Sequence, residues 1–459
     1  MVGFNRVHFI GIGGISMSGI AEILLEKGNT VSGSDLSNSH LLDILREKGA
    51  EIFIGHDANN VKDADLVVIS NAIPEINPEL IFARENNIAV YKRAEMLAEL
   101  MKDQKGIAIS GTHGKTTTTS MAATILMEGN QDPTILVGGE LDSIGGNYYF
   151  GKGKYLLTEA DESDGSFLYY QPEVVVVTNV EMDHQDFYDT KEKLLTTFRK
   201  FLQKIPEEGK AIVCAEDETL MSLVNVYDEK VVTYGIEKGD IQAKDCKLYS
   251  FGSIFKLFVN GKEITEVNLQ IPGKHNVLNS LAAIAVAIHT GINYQQIKSG
   301  IEKYAGVHRR FEKKGLLGDI LIVDDYAHHP TEIEATIKVA KNTGYERVIA
   351  IFQPHRYSRT KHLMNNFDKS FEFVDHLIIT DIYSAGEKEI PGVNAEELAK
   401  SIAKGNTFPV DYIANIYDVV KYLTKIVRSK DLVITIGAGD VYRVGELFID
   451  MVRKSKEMA

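Results

Sequence analysis

Between a β-branched stretch and a helical one the chain reads Gly111-Thr112-His113-Gly114-Lys115-Thr116-Thr117, residue types that in this order make a cradle for phosphate. Glycines let backbone N–H groups turn toward phosphate oxygens, Lys115 brings a charge to the terminal phosphates, and Thr116 offers a hydroxyl to Mg²⁺. The longer form of such loops would carry a glycine at position 109, which here is Ile109, so the match is to a shorter Gly-x-x-Gly-Lys-Thr core. Two acidic phrases follow apolar runs: Glu159-Ala160-Asp161-Glu162-Ser163-Asp164 and Glu181-Met182-Asp183-His184-Gln185-Asp186. Carboxylates and an imidazole at strand ends beside a phosphate loop suit a hard cation that bridges phosphates, Mg²⁺ or Mn²⁺ rather than zinc. Spacing alone would equally allow solvated acidic loops or helix caps.

A second glycine turn, Gly11-Ile12-Gly13-Gly14-Ile15-Ser16, is followed roughly 20 residues on by Ser34-Asp35, where an acid that bonds a ribose hydroxyl would stand. It fits a dinucleotide, the diphosphate of a nucleotide-linked substrate, or no more than a tight strand-to-helix turn. Histidines gather with charged residues in Gly273-Lys274-His275-Asn276, His308-Arg309-Arg310-Phe311, Asp324-Asp325-Tyr326-Ala327-His328-His329-Pro330 and Pro354-His355-Arg356-Tyr357-Ser358-Arg359. The guanidinium forks of Arg310, Arg356 and Arg359 can bind phosphate or carboxylate bidentately, and surface ion pairs are the plainer alternative.

The elements that must position these residues are legible as alternation. Short β-branched runs (Val7–Ile10, Thr30–Gly33, Leu66–Ser70) are interleaved with helical patterns at Ile15–Glu26 and His40–Lys48, which predicts a parallel sheet with crossover helices. After a helix near Arg93–Lys102, the polar Asp103-Gln104-Lys105-Gly106 marks a boundary, and Ile107–Ser110 opens a second unit. That unit holds strands Tyr155–Thr158 and Val174–Thr178, a β-rich insert around Tyr249–Val267 and a helix over Val277–Thr290, closing near Tyr304. A third unit restarts the alternation with strands Ile320–Val323, Val348–Phe352, Leu377–Thr380 and Leu432–Ile436, and helices Thr331–Lys341 and Ala395–Ala403. The expected division is therefore 1–104, 105–305 and 306–459, in an α/β protein.

A chain of 459 residues with a formal charge of −14 is long enough for several cores and too acidic to bind nucleic acid or an anionic membrane through bulk charge. Cys214 and Cys246 are too few and too far apart for a disulfide framework or a thiolate metal site. That usage fits a reducing cytoplasm. The apolar run Val7–Ile15 leads into a glycine turn rather than a cleavage site, and no apolar stretch is long enough to span a bilayer, so no membrane insertion is expected. Oligomeric state is not legible.

Taken in order, these phrases resemble the Mur ligase family, over His8–Met17, Gly111–Thr117, Glu159–Phe167, Thr178–His184, Gly273–Asn279, His308–Phe311, Asp324–Pro330 and Phe352–Arg359. The resemblance implies three domains: a Rossmann-like N-terminal domain for a UDP-sugar, a central P-loop ATPase domain with a mostly parallel sheet, and a Rossmann-like C-terminal domain. It implies that ATP and Mg²⁺ are used to join L-alanine to the lactyl carboxylate of UDP-N-acetylmuramate, with a tripeptide as the alternative amine. It further puts Lys115 on the ATP phosphates among Gly111–Thr117, Thr116 and Glu159 on one metal ion, and His184 on a second. His275, Asn276 and Asn279 would lie near adenine, Arg310 at the phosphates and Asp325 at the ribose. Tyr326, His328, Arg356 and Arg359 would receive the amino acid and the product carboxylate, with Lys115, His184, Arg310 and His328 as the catalytic set. Gly11, Gly13, Gly14, Ser16, Asp35 and Ser70 would face the UDP moiety. Ser16 stands where the family has glycine, and Ser70-Asn71-Ala72 replaces a Ser-Ser-Ala-like phrase. No lysine aligns with the carbamoylated residue of other family members, since Thr197-Phe198-Arg199 occupies that neighbourhood. Competing readings are a dinucleotide-dependent dehydrogenase, which leaves Gly111–Thr117 unused, and a nucleotide-binding switch protein.

Overall fold

The computed structural model describes residues 3–185, 187–225 and 228–457; Asp186 of the second acidic phrase lies outside them. Each of the three expected runs of alternation builds its own sheet. In the first, five parallel strands lie in the order Glu51–Ile54, Thr30–Asp35, Arg6–Ile10, Leu66–Ile69 and Ala89–Lys92. Because Arg6–Ile10 has partners on both sides, the chain reverses its winding there. The turn Gly11–Ser16 and Ser70 open into the resulting crevice, where open sheets of this class bind ligands.

The central sheet has ten strands. The phosphate-loop strand Lys105–Ser110 runs parallel between Tyr155–Glu159 and Val174–Val177, with Ile109 paired to Glu159 and Ser110 to Val177. This register sets both acidic phrases beside the loop. The β-rich insert begins earlier than the sequence reading placed it: Ile241–Tyr249, Gly252–Val259 and Lys262–Leu269 form an antiparallel meander at the sheet's far edge. Its alternation is broken by the bulge between Lys244 and Lys247, which blurs the period-two signal. In the third sheet Asp431–Ile436 inserts between Ile320–Asp325 and Arg347–Phe352, and Glu312–Leu317 adds an antiparallel edge.

One face of the first sheet and the central sheet share a continuous apolar cluster, from Phe9 and Ile20 through Leu136 to Val286, while Ile10, Val67 and Leu80 pack on the first sheet's other face. The third sheet is covered on both faces. Ala350 and Phe352 pack on one side and Ile349 and Ile351 on the other, as successive strand residues must. Among the described residues no helix is long and apolar enough to cross a membrane.

The first and central domains meet where helix Ile15–Glu26 crosses strand Thr134–Leu141. Asn147 Nδ2 donates to Ile15 O at 2.6 Å, and a Cβ on Gly19 would stand 2.7 Å from Leu136 Cδ2 and 3.3 Å from Tyr148 Cβ. Gly19→Val should overpack this seam and lower stability by about 1–3 kcal/mol, measured by urea unfolding; an unchanged midpoint would show that the seam has slack.

Candidate active site

The phosphate loop turns between strand Lys105–Ser110 and helix Lys115–Glu128 through Gly111 at φ 128° and Gly114 at φ 83°. A Cβ on Gly111 would come within 2.1 Å of Thr178 Oγ1, and one on Gly114 within 2.5 Å of Asn279 Oδ1. Glycine is required at both places. Thr178 Oγ1 and Asn179 Nδ2 donate to His113 O at 2.6 and 2.9 Å, and His113 N donates to Asn179 Oδ1 at 2.9 Å. The loop is therefore fixed by the neighbouring strand end.

Lys115 Nζ donates to Gly111 O at 2.6 Å and to both oxygens of Glu162 at 3.0 and 2.9 Å. Burial would lower a lysine pKa, but Glu162 and Asp161 outweigh it and hold the ammonium charged. Glu159 accepts from Thr116 Oγ1 at 3.2 Å and from Gly138 N at 2.7 Å, while burial pushes its own pKa up. His184, in the left-handed region at φ 53°, lies with Nε2 3.9 Å from Glu162 and 3.7 Å from Asp183. Burial would raise Asp183; His184 and Arg359 overcome it and keep the carboxyl well below its usual range. Asp161, Glu162 and His184 hold ligand atoms within 4.8 Å of one another. Thr116 with Glu159, and His184 with Asp161 and Glu162, thus form two neighbouring oxygen-rich groups whose donor chemistry fits Mg²⁺ or Mn²⁺.

Two cavities share the loop as a wall. One, of about 470 Å³, is lined by His113, Gly114, Thr117, His275, Asn276, Asn279, Arg310 and Asp325. Burial drives His275 down to about 4, leaving a neutral ring. Asp325 accepts from the N–H groups of Phe311 and Ala327, both at 2.8 Å, and burial lifts it to about 6. The other cavity, about 620 Å³, brings Ser16 of the first domain to Lys115, Thr116, Glu159 and His184, and to Arg310, Tyr326, His328, Arg356 and Arg359. His328 Nδ1 faces Tyr326 O at 3.1 Å, so Nδ1 carries the ring proton and donates to the carbonyl while Nε2 keeps the lone pair. Burial lowers His328 to about 4. Arg356, at φ 69°, pairs with Glu387 at 2.9 Å, and Arg359 lies 3.6 Å from Asp183.

In the first domain, Gly11 N and Ile12 N donate to Ser34 O at 2.8 and 3.1 Å, and Gly13 N to Asp35 Oδ2 at 2.9 Å. Asp35 braces the glycine turn with this oxygen, a task the sequence reading did not foresee. Gly14 caps the following helix without a side chain, leaving its N-terminus clear for an anion. Ser70 lies beside Gly11, and Asn71 donates across the domain boundary to Asp164.

Several residues of the site were missed in the sequence. Arg93 reaches Ser16 Oγ at 3.0 Å and lines the larger cavity; its signal was an arginine at a helix N-terminus, where the dipole disfavours a cation. His355, stacked on Tyr383 with centroids 5.5 Å apart, joins Arg359. Glu332 stands at capping-box spacing after His329.

A parallel-sheet domain with a phosphate loop, set between two further α/β domains that close a common chamber, defines an ATP-dependent ligase of the Mur type, and the chain belongs to the Mur ligase family. Residues 6–105 match the Mur ligase family catalytic domain, 109–287 the Mur ligase middle domain and 309–439 the Mur ligase glutamate ligase domain. The chain is 48% identical over 452 residues to UDP-N-acetylmuramate–L-alanine ligase of Geotalea daltonii, covering 98% of this chain and 99% of that one. Among solved structures it resembles UDP-N-acetylmuramate–alanine ligase of Thermotoga maritima, with TM-score 0.84, 30% identity and coverage of 98% and 99%. A murein peptide ligase of Psychrobacter arcticus superposes with TM-score 0.70 at 25% identity, covering 97% and 98%.

His113 donates from Nε2 to Glu181 at 2.9 Å and from Nδ1 to Glu332 at 3.1 Å. Burial opposes its charge, but these two hydrogen bonds prevail and raise it to about 9. A histidine whose folded pKa is raised adds stability that is complete below its unfolded value near 6.5 and is lost as pH rises through about 9. The melting difference between wild type and His113→Asn should therefore be largest near pH 6 and shrink toward pH 9; a pH-independent difference would refute it.

Proposed function

We propose that this chain joins L-alanine to the lactyl carboxylate of UDP-N-acetylmuramate at the expense of ATP, in peptidoglycan precursor synthesis. The observation that carries the reading is the larger cavity. Lys115 and Thr116, the UDP-side Ser16, and the group Tyr326, His328, Arg356 and Arg359 all open into one space.

In the reaction a lactyl oxygen attacks the γ-phosphorus, the bond to the β-phosphate oxygen breaks, and ADP leaves an acyl phosphate. The alanine amine then attacks the acyl carbon and inorganic phosphate departs. Nucleophile and triphosphate are both anionic, so the residues act chiefly by placing them and neutralising charge. Lys115 would transfer its contacts from Glu162 to the terminal phosphates, with Arg310 on their other side. The smaller cavity would take adenosine, the neutral His275 with Asn276 and Asn279 beside the base and Asp325 at the ribose. Thr116 and Glu159, and His184 with Asp161 and Glu162, would hold Mg²⁺ ions, which when bound offset phosphate charge. His328, neutral and with Nε2 available, would take the proton that the attacking amine loses. Arg356 and Arg359 would bind the carboxylate of the amino acid. The glycine turn with Ser16, Asp35 and Ser70 would hold the UDP moiety. A cytoplasmic location, where ATP is available, belongs to this reading.

Full-length 48% identity to a UDP-N-acetylmuramate–L-alanine ligase, against 25% to a murein peptide ligase, favours L-alanine as the amine. Phosphate release from ATP should require UDP-N-acetylmuramate and L-alanine together; turnover with the tripeptide and none with L-alanine would reverse the choice. Lys115→Ala should cut ADP formation about a thousandfold while UDP-sugar binding, followed by calorimetry, persists; near-normal turnover would sink the assignment of the loop.

A further inference from the structure

One partly buried carboxylate ties the loop that cradles phosphate to the loop that would receive the amine. Glu332 lies in the first turn of helix Pro330–Lys341 and borders both cavities. Its Oε1 accepts from His113 Nδ1 at 3.1 Å, across the boundary between the central and third domains. Its Oε2 accepts from the backbone N–H groups of His328 and His329 at 3.1 and 3.4 Å. A helix cap needs only the second set; the first has no part in capping.

The ties continue on both sides. His113 Nε2 donates to Glu181 Oε2 at 2.9 Å, and Thr331 Oγ1, next to Glu332, donates to Glu181 Oε1 at 2.8 Å. The four side chains close a ring: Glu181 and His113 from the central domain, Thr331 and Glu332 from the third. Because both nitrogens of His113 face carboxylates, the ring carries two charge-assisted bonds, and the one to Glu332 is shielded from solvent on both partners. The backbone of His113 is itself pinned by Asn179, so no loose joint separates the phosphate loop from His328.

We propose that Glu332 is a positioning residue, acting through His113 on one side and through the His328 backbone on the other to fix the spacing between the phosphoryl site and the amine site. This rests on the ligase reading of the larger cavity. Attack on an acyl phosphate needs the amine at near-contact distance, and a misplacement of about 1 Å can cost on the order of a hundredfold in rate.

The test uses the full-length enzyme with UDP-N-acetylmuramate, ATP and L-alanine each varied in turn. Glu332→Gln keeps the volume and one acceptor but loses the charge that holds His113. It should lower kcat/KM for L-alanine by about 30- to 100-fold, with UDP-sugar affinity kept. His113→Asn, which leaves the helix cap untouched, should do the same from the other domain, and it carries the test alone if Glu332→Gln proves unstable. The double variant should be no more than about threefold worse than the poorer single one, because both cut the same link. An effect of Glu332→Gln within about threefold of wild type, or losses that multiply in the double variant, would overturn the proposal. Wild-type turnover with L-alanine, run alongside, separates the claims: its absence counts against the reaction, whereas the link is judged from the ratio of variant to wild type with whichever amine is turned over.

Discussion

An ammonium group surrounded by carboxylates is the contact on which the rest of this site depends. Lys115 carries the foremost positive charge into the acidic pocket formed by Glu159, Asp161 and Glu162, with His184, Arg93 and Arg310 bearing on the same carboxylates, and without it these acids would lose their main compensation. Uncompensated buried charge is costly enough to reshape a site. The pocket is thus acidic and held ready chiefly by one lysine. A magnesium nucleotide would relieve the same repulsion that Lys115 relieves, so binding and neutralisation are one event.

That constraint explains the placement of the elements around it. The phosphate-loop strand lies inside its sheet, both flanking strands lead into acidic phrases, and the register of Ile109 with Glu159 brings that acid level with the loop. The other domains supply what the central one lacks. Cationic and neutral basic groups, Arg310, His328, Arg356 and Arg359, come from the third domain, and Arg93 with the glycine turn comes from the first.

Much of this was legible in the sequence because phosphate chemistry leaves local marks. Gly111 through Thr117, the two acidic phrases and the histidine–arginine phrases are contiguous, and each follows a β-branched run. What was not legible is relational. Asp35 was read as a ligand contact, yet one carboxylate oxygen holds Gly13, a bond set by how two strand ends face each other. Arg93 and Glu332 sit in helix first turns and acquire meaning only when domains meet. The meander after Ile241 was misjudged at its start because a bulge interrupts the alternation on which strand recognition relies. The position of Asp431–Ile436 between two earlier strands is a fact of topology that no local pattern encodes.

The link between the central and third domains carries one more meaning. Arg309 and Phe311 both adopt positive φ, at 63° and 46°, on either side of Arg310, a conformation that costs a side-chain-bearing residue and persists only when its surroundings enforce it. The enforcing contacts belong to the third domain: Arg309 bonds Asp324 and Gly437, and Phe311 N bonds Asp325. Swinging that domain outward would carry the strained link with it intact and withdraw the Arg310 guanidinium from the cavity in the same stroke. Opening of the cavity and loss of the Arg310 charge from it would then share a single coordinate.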